Sequence, residues 1–200
     1  MLPTGHVEFT WAALNLLQRR LGWFPHADYR FVALAAVAPD LLDKPLALTV
    51  YRDTQAALFW GHNLWFHLGV WLMAAAWAWR GGRDGRRTRL GRSLPYLLAF
   101  SGHLLADRMW GFQESLFYPL GGGYWHPWTH VGAPQAMWSA YVEIVRTTPI
   151  LLAFEVVGLG LLAWFVWDRR LWAKTRLMAW LRTGRFVPMR RPLMPCVATT

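Results

Sequence analysis

Residues 150–167 read Ile150-Leu151-Leu152-Ala153-Phe154-Glu155-Val156-Val157-Gly158-Leu159-Gly160-Leu161-Leu162-Ala163-Trp164-Phe165-Val166-Trp167, eighteen residues with one charge, Glu155. A helical run of that length approaches the ~30 Å of a bilayer's hydrocarbon core. The pattern recurs outward from it. Residues 64–79 contain no Asp, Glu, Lys or Arg, and residues 55–63 add none. Residues 93–106 are apolar apart from Ser93, Ser101 and His103. Two weaker runs, 6–17 and 31–39, are too short to cross alone. The expected fold is therefore an all-α, multi-pass membrane helix bundle. Three clear spans are predicted near 56–79, 93–110 and 149–168, with two shorter N-terminal helices near 6–20 and 30–48. Residues 1–168 form the membrane-embedded domain in this reading, and residues 169–200 a basic cytoplasmic tail.

Composition points the same way. Of 200 residues, 55% are hydrophobic and 15 are Trp, and the mean hydropathy is +0.19. Such a chain is too apolar to be disordered. A single Cys, Cys196, excludes a disulfide scaffold and a cysteine zinc finger. The net charge of +10 could suit nucleic acid, but nucleic-acid binders concentrate charge on a soluble face. Here the basic residues fall between apolar runs, so membrane lipid is the expected partner and nucleic acid is not. Seventeen Lys and Arg lie in 18–30, 80–92 and the tail from 168; only Lys44, Arg52, Arg108 and Arg146 lie elsewhere. That asymmetry predicts a cytoplasmic C-terminus in the inner membrane, with the N-terminus and segments 40–55 and 108–148 outside. The tail would anchor to anionic lipid.

Ionisable groups inside apolar helices are costly and are functional candidates. Here they are His6, Asp40, Asp43, His62, His67, His103, Asp107 and Glu155. In the topology above, His6, Asp40, His67, His103 and Asp107 share one depth near the outer face, which makes them the expected metal ligands. His103 and Asp107 stand four apart, so a helix turns both to one side; they can share a metal ion or an intrahelical hydrogen bond. Pro39 favours a helix break that would aim Asp40 at a cavity. Asp43 could join Asp40, cap a helix or pair with Lys44. His62 and His67 differ by five residues, about 140° on a helix; the deeper His67 is preferred and His62 is set in an outer shell. His126 and His130, in the loop that follows, could cover or complete the site. Glu155 reads as a contact between helices.

The motifs Ala38-Pro39-Asp40-Leu41-Leu42-Asp43-Lys44, Gly61-His62-Asn63-Leu64-Trp65-Phe66-His67, Gly102-His103-Leu104-Leu105-Ala106-Asp107 and Phe117-Tyr118-Pro119-Leu120, after His6, follow one another in order. Over about residues 1–125 the chain resembles the YdjM-like family of inner-membrane metal-dependent hydrolases, itself similar to the zinc-dependent phospholipase C superfamily. The resemblance implies a divalent metal, Zn²⁺ foremost, held by Asp and His. The family's Arg-Gly-x-Thr-His-Ser stretch is reduced here to His67 and His62, and the second H-x-x-x-E is missing. One or two ions are thus expected rather than three.

Two functions follow. In the first, a membrane-bound metal-dependent hydrolase acts on a lipid or lipid-linked phosphoester near the outer face, with Asp40 or Asp107 as general base. In the alternative, a non-enzymatic membrane protein uses the cluster for haem or for ion and proton binding. No Ser-His-Asp order, Cys nucleophile or P-loop competes: Gly121-Gly122-Gly123 lacks the Lys and Ser/Thr.

Overall fold

The computed structural model describes residues 2–127 and 134–186. They are helical throughout. No strand occurs among them, only an isolated bridge between Ala56 and Pro127. The helices are α1 (Pro3–Leu21), α2 (Tyr29–Leu48), α3 (Leu64–Trp79), α4 (Gly82–Ala106), the single turn α5 (Gln113–Leu116), α6 (Pro134–Thr147), α7 (Pro149–Asp168) and α8 (Lys174–Thr183). Short 3₁₀ turns sit at Arg52–Thr54, Trp60–His62 and Met109–Gly111.

Local chemistry sets these boundaries. Pro3 and Pro149 stand in the first turns of α1 and α7, where a missing N–H costs nothing. Asp28 caps α2 by accepting from the Arg30 N–H, and Asn63 caps α3 by accepting from the Phe66 N–H. The start of α3 at Leu64 shortens the helix expected from residue 56. Two amides that would have extended it, those of Phe59 and Gly61, donate instead to Asp43. The arginine-rich stretch expected as a connection is instead mostly the first half of α4.

α2 runs unbroken through Pro39 and Pro45, where a break at Pro39 is expected. Pro39 withholds its N–H from the Ala35 carbonyl one turn back, and α4 and the 3₁₀ turn before α3 pack against this stretch. His103 Nδ1 donates to the Ala36 carbonyl at 2.7 Å. Gly61 lies directly on Pro39, and a Cβ there would fall 2.4 Å from the Pro39 oxygen, so only glycine permits the approach.

α4 packs on α2 and α3, and α1 packs on α2 and α7. One core cluster joins Leu14, Tyr29, Val32, Phe165, Leu171 and Trp180, with Trp11 and Phe186 against it. Residues 169–186 are therefore part of the packed body, not the detached tail expected from 169 onward. A second cluster holds Ala47, Ala56, Ala57 and Phe59, flanked by Tyr51, Trp125 and Tyr141.

α7 alone, among the described helices, is long and apolar enough to cross a membrane, and only 11% of its apolar stretch is buried. α3 is as apolar but has 16 residues. Both present large apolar side chains outward, among them Leu72, Met73 and Trp77 on α3 and Leu152, Val156 and Leu159 on α7. Glu155 faces α1, where it accepts from the Leu2 N–H and the Thr4 hydroxyl, the contact between helices expected of it.

Candidate metal centre

α2, the 3₁₀ turn before α3 and the end of α4 bring Asp40, His62, His103 and Asp107 together. One ligand atom from each lies within 4.8 Å of the others, and this group can hold a metal ion. His103 and Asp107 do share one side of α4's last turn, with Nε2 3.3 Å from Oδ2. His62 Nε2 is 3.2 Å from the same Oδ2 and 3.1 Å from His103 Nε2. Asp40 closes the group at 3.8 Å from His62 Nε2 and 3.9 Å from His103 Nε2. All three of Asp40, His62 and His103 are buried.

The tautomers follow from the outer nitrogens. His103 Nδ1 faces a backbone carbonyl at 2.7 Å and must carry the hydrogen. His62 Nδ1 faces the Asp43 carboxylate at 2.7 Å and does the same. Each neutral ring then turns a bare Nε2 lone pair inward. Two lone pairs 3.1 Å apart, both beside a carboxylate oxygen, are mutually repulsive unless a cation lies between them. A tetrahedral divalent ion with bonds of ~2.0–2.1 Å spaces its ligand atoms roughly 3.3–3.4 Å apart. The observed 3.1 to 3.3 Å separations fit that spacing.

Asp43 is fully buried and saturated. It accepts from the Phe59 N–H at 2.6 Å, the Gly61 N–H at 2.8 Å and His62 Nδ1 at 2.7 Å. It orients His62 as carboxylates orient metal-binding histidines.

His6 stacks on His103, ring centroids 3.9 Å apart. Its Nε2 stands 3.1 Å from Asp107 Oδ1 but off the line of a hydrogen bond. It thus borders the four-residue group on the second oxygen of Asp107.

His67 does not join them. Its Nε2 donates to the Gly61 carbonyl at 2.8 Å, and its Nδ1 accepts at 3.2 Å from the Ser101 hydroxyl, whose oxygen in turn accepts from Trp71 Nε1. The expected ligand His67 is thereby a support for the Gly61–His62 turn, and His62 stands where His67 is expected. The 140° argument assumed one helix through both residues. Asn63, a residue type favoured at caps, sits immediately before the apolar run and is the signal that places His62 outside it.

Lys44 pairs with Asp40, not Asp43, at 3.1 Å, and also reaches Tyr141 on α6. A cavity of about 510 Å³ opens beside the cluster, with Asp40, Asp107, Lys44, Arg108, His126 and Tyr141 among its lining residues. His126 is therefore near the cluster without being in it. Its amide donates to Ser115 Oγ, and its Nδ1 is 3.5 Å from Glu114 Oε2. His130 lies outside the described residues.

Compared with protein-family models, curated proteins and solved structures, the chain matches none.

Proposed function

We propose that the protein is a membrane-embedded, metal-dependent hydrolase that binds Zn²⁺ at Asp40, His62, His103 and Asp107 and cleaves a phosphoester carried by a lipid or lipid-linked molecule. The observation that carries the reading is the convergence of His62 Nε2, His103 Nε2 and an Asp107 oxygen, 3.1 to 3.3 Å apart, with Asp40 closing the group. A divalent ion bound there would lower the pKa of a water and polarise a phosphoester oxygen. Asp43 fixes the His62 tautomer, and the Ala36 carbonyl fixes that of His103. Asp40 and Asp107 both line the cavity, and a carboxylate of either can accept a proton from an attacking water. The outward apolar faces of α3 and α7 support a multi-pass arrangement in the inner membrane, with the basic C-terminal part cytoplasmic.

Haem fits less well. Two axial histidines flank a macrocycle from opposite faces. The two Nε2 atoms are 3.1 Å apart with Asp107 beside both, which leaves no room for the ring. Metal analysis and a visible spectrum of the purified protein, with a phosphoester hydrolysis assay, test the reading. A stoichiometric divalent ion and metal-dependent hydrolysis are expected. A metal-free protein that takes up neither Zn²⁺ nor Mn²⁺ would overturn it.

A further inference from the structure

The cavity beside the cluster has a polarity of its own. Its carboxylates, Asp40 and Asp107, are each accompanied by a cation that lines the same space, Lys44 and Arg108. Lys44 sits 3.1 Å from Asp40 and reaches Tyr141, so its ammonium is held in place from two sides. Arg108 directly follows Asp107 and takes the left-handed backbone conformation, φ 55°, which is unfavourable for a residue with a Cβ. The turn is closed by the Arg108 N–H to Leu105 and by the Gly111 N–H to the Arg108 carbonyl. It brings Asp107 and Arg108 onto the wall that also holds Asp40 and Lys44. The rest of the lining is largely apolar and includes Leu2, Leu58, Trp110, Ile144, Ile150 and Leu151. Ile150 and Leu151 begin α7, the helix long and apolar enough to cross a membrane, so the cavity wall runs into that helix's apolar outer surface.

We propose that Lys44 and Arg108 are the anion-positioning residues of this site, and that its ligand is a membrane amphiphile whose phosphate lies between them while its hydrocarbon follows Leu2, Ile150 and Leu151. The inference rests on the metal-site reading in one respect. Asp40 and Asp107 alone would repel an anion; a divalent ion offsets their two charges, and with Lys44 and Arg108 the site as a whole is then net positive. Charge-assisted contacts from two cations select phosphate, and the apolar wall selects the tail. The two residues are positioning residues: they hold the anion, and the Asp–His group faces its ester.

Native mass spectrometry of the zinc-loaded full chain in detergent, titrated separately with phosphatidic acid, diacylglycerol of the same chains and inorganic phosphate, tests this. Wild type should retain phosphatidic acid best. R108Q should weaken that retention by about tenfold or more, with zinc content unchanged and diacylglycerol retention unaffected. K44M should do the same, and K44R, which preserves the pair with Asp40, should recover it. R86Q, on the first half of α4, should behave as wild type and so exclude a general basic-surface effect. Equal retention of diacylglycerol and phosphatidic acid by wild type, or unchanged retention in R108Q, would overturn the anion-positioning role while leaving the metal reading intact. Inorganic phosphate held as tightly as the lipid would overturn the amphiphile. A wild type that never holds zinc would sink the hydrolase reading, and the anion-positioning role falls with it if that protein also fails to retain phosphatidic acid.

Discussion

The two ends of α1 both meet buried polar groups, and they treat them in opposite ways. At its C-terminal half, donors and acceptors alternate. Asn15 donates to Asp168 at 2.9 Å and accepts from Arg169, whose other nitrogen donates to Gln18 at 2.8 Å. Gln18 also accepts from the Tyr29 hydroxyl and donates to the Phe24 carbonyl. Arg19 closes the network on Asp168 at 3.0 Å. At the N-terminal half, His6 stacks on His103 and meets Asp107, beside a group of ligand atoms that can hold a metal ion. The first arrangement is complete as protein alone and locks helices together. The second converges ligand atoms on one point. Burial of polar residues is common to both, so burial does not distinguish structure from function here; the balance of donors and acceptors does.

The sharpest way to break that contrast is to remove a ligand. His103→Ala and His62→Ala should each lower metal affinity by more than the roughly 100-fold that changes to supporting residues reach. Helix content by circular dichroism should persist, and His26→Ala, at an exposed position, should change neither. The two losses should not add, because the ligands act as one unit. Full metal content in His103→Ala would make the cluster structural, like the other end of α1. One step further out, Asp43→Asn removes the carboxylate that orients His62 and should cost about 10- to 100-fold in metal affinity by isothermal titration. An unchanged affinity would mean that the Phe59 and Gly61 amides, and not His62, are Asp43's purpose.

The other end should answer in stability. Asn15→Leu leaves Asp168 and Arg169 short of a partner and should lower unfolding stability in detergent by about 1–3 kcal/mol, with metal content unchanged. Loss of metal in that variant would erase the distinction between the two ends. The smallest effect concerns Asp28, which the Arg30 guanidinium and amide hold below the usual carboxylate pKa. A carboxylate with a lowered pKa adds stability above its unfolded pKa of about 4 and loses it as pH falls further through the folded value. Asp28→Ala should therefore melt below wild type at pH 7, by about 1 kcal/mol for the lost cap. The gap should narrow as pH falls below about 4. A gap independent of pH would point to packing against Gly184 in place of charge.

Much of the candidate site was legible in the chain. Asp40, His103 and Asp107 stood out because ionisable residues are rare in apolar runs, and the four-residue spacing of His103 and Asp107 fixes their shared face on any helix. His62 and His67 were exchanged because a single helix was carried back to residue 56 through Asn63. A pair with Lys44 stood as one of several options for the Asp40–Asp43 stretch, and the i to i+4 spacing on α2 gives Lys44 to Asp40. The start of α4 was placed eleven residues late, since arginines read equally well as a connection or as solvated helix.

By itself, then, the sequence settled what depends on neighbours along the chain: the all-helical class, the long apolar α7, and the face shared by His103 and Asp107. Only the tertiary structure decided what depends on distance through space. It showed that Asp43 takes the Phe59 and Gly61 amides and that α3 starts late, at Leu64. It showed that Gly61 can rest on Pro39, that α8 packs into the core, and that two histidines 41 residues apart turn bare nitrogens toward each other. A sequence lists donors and acceptors. Which group faces which is set by packing, and packing brings together the four residues that can hold a metal ion.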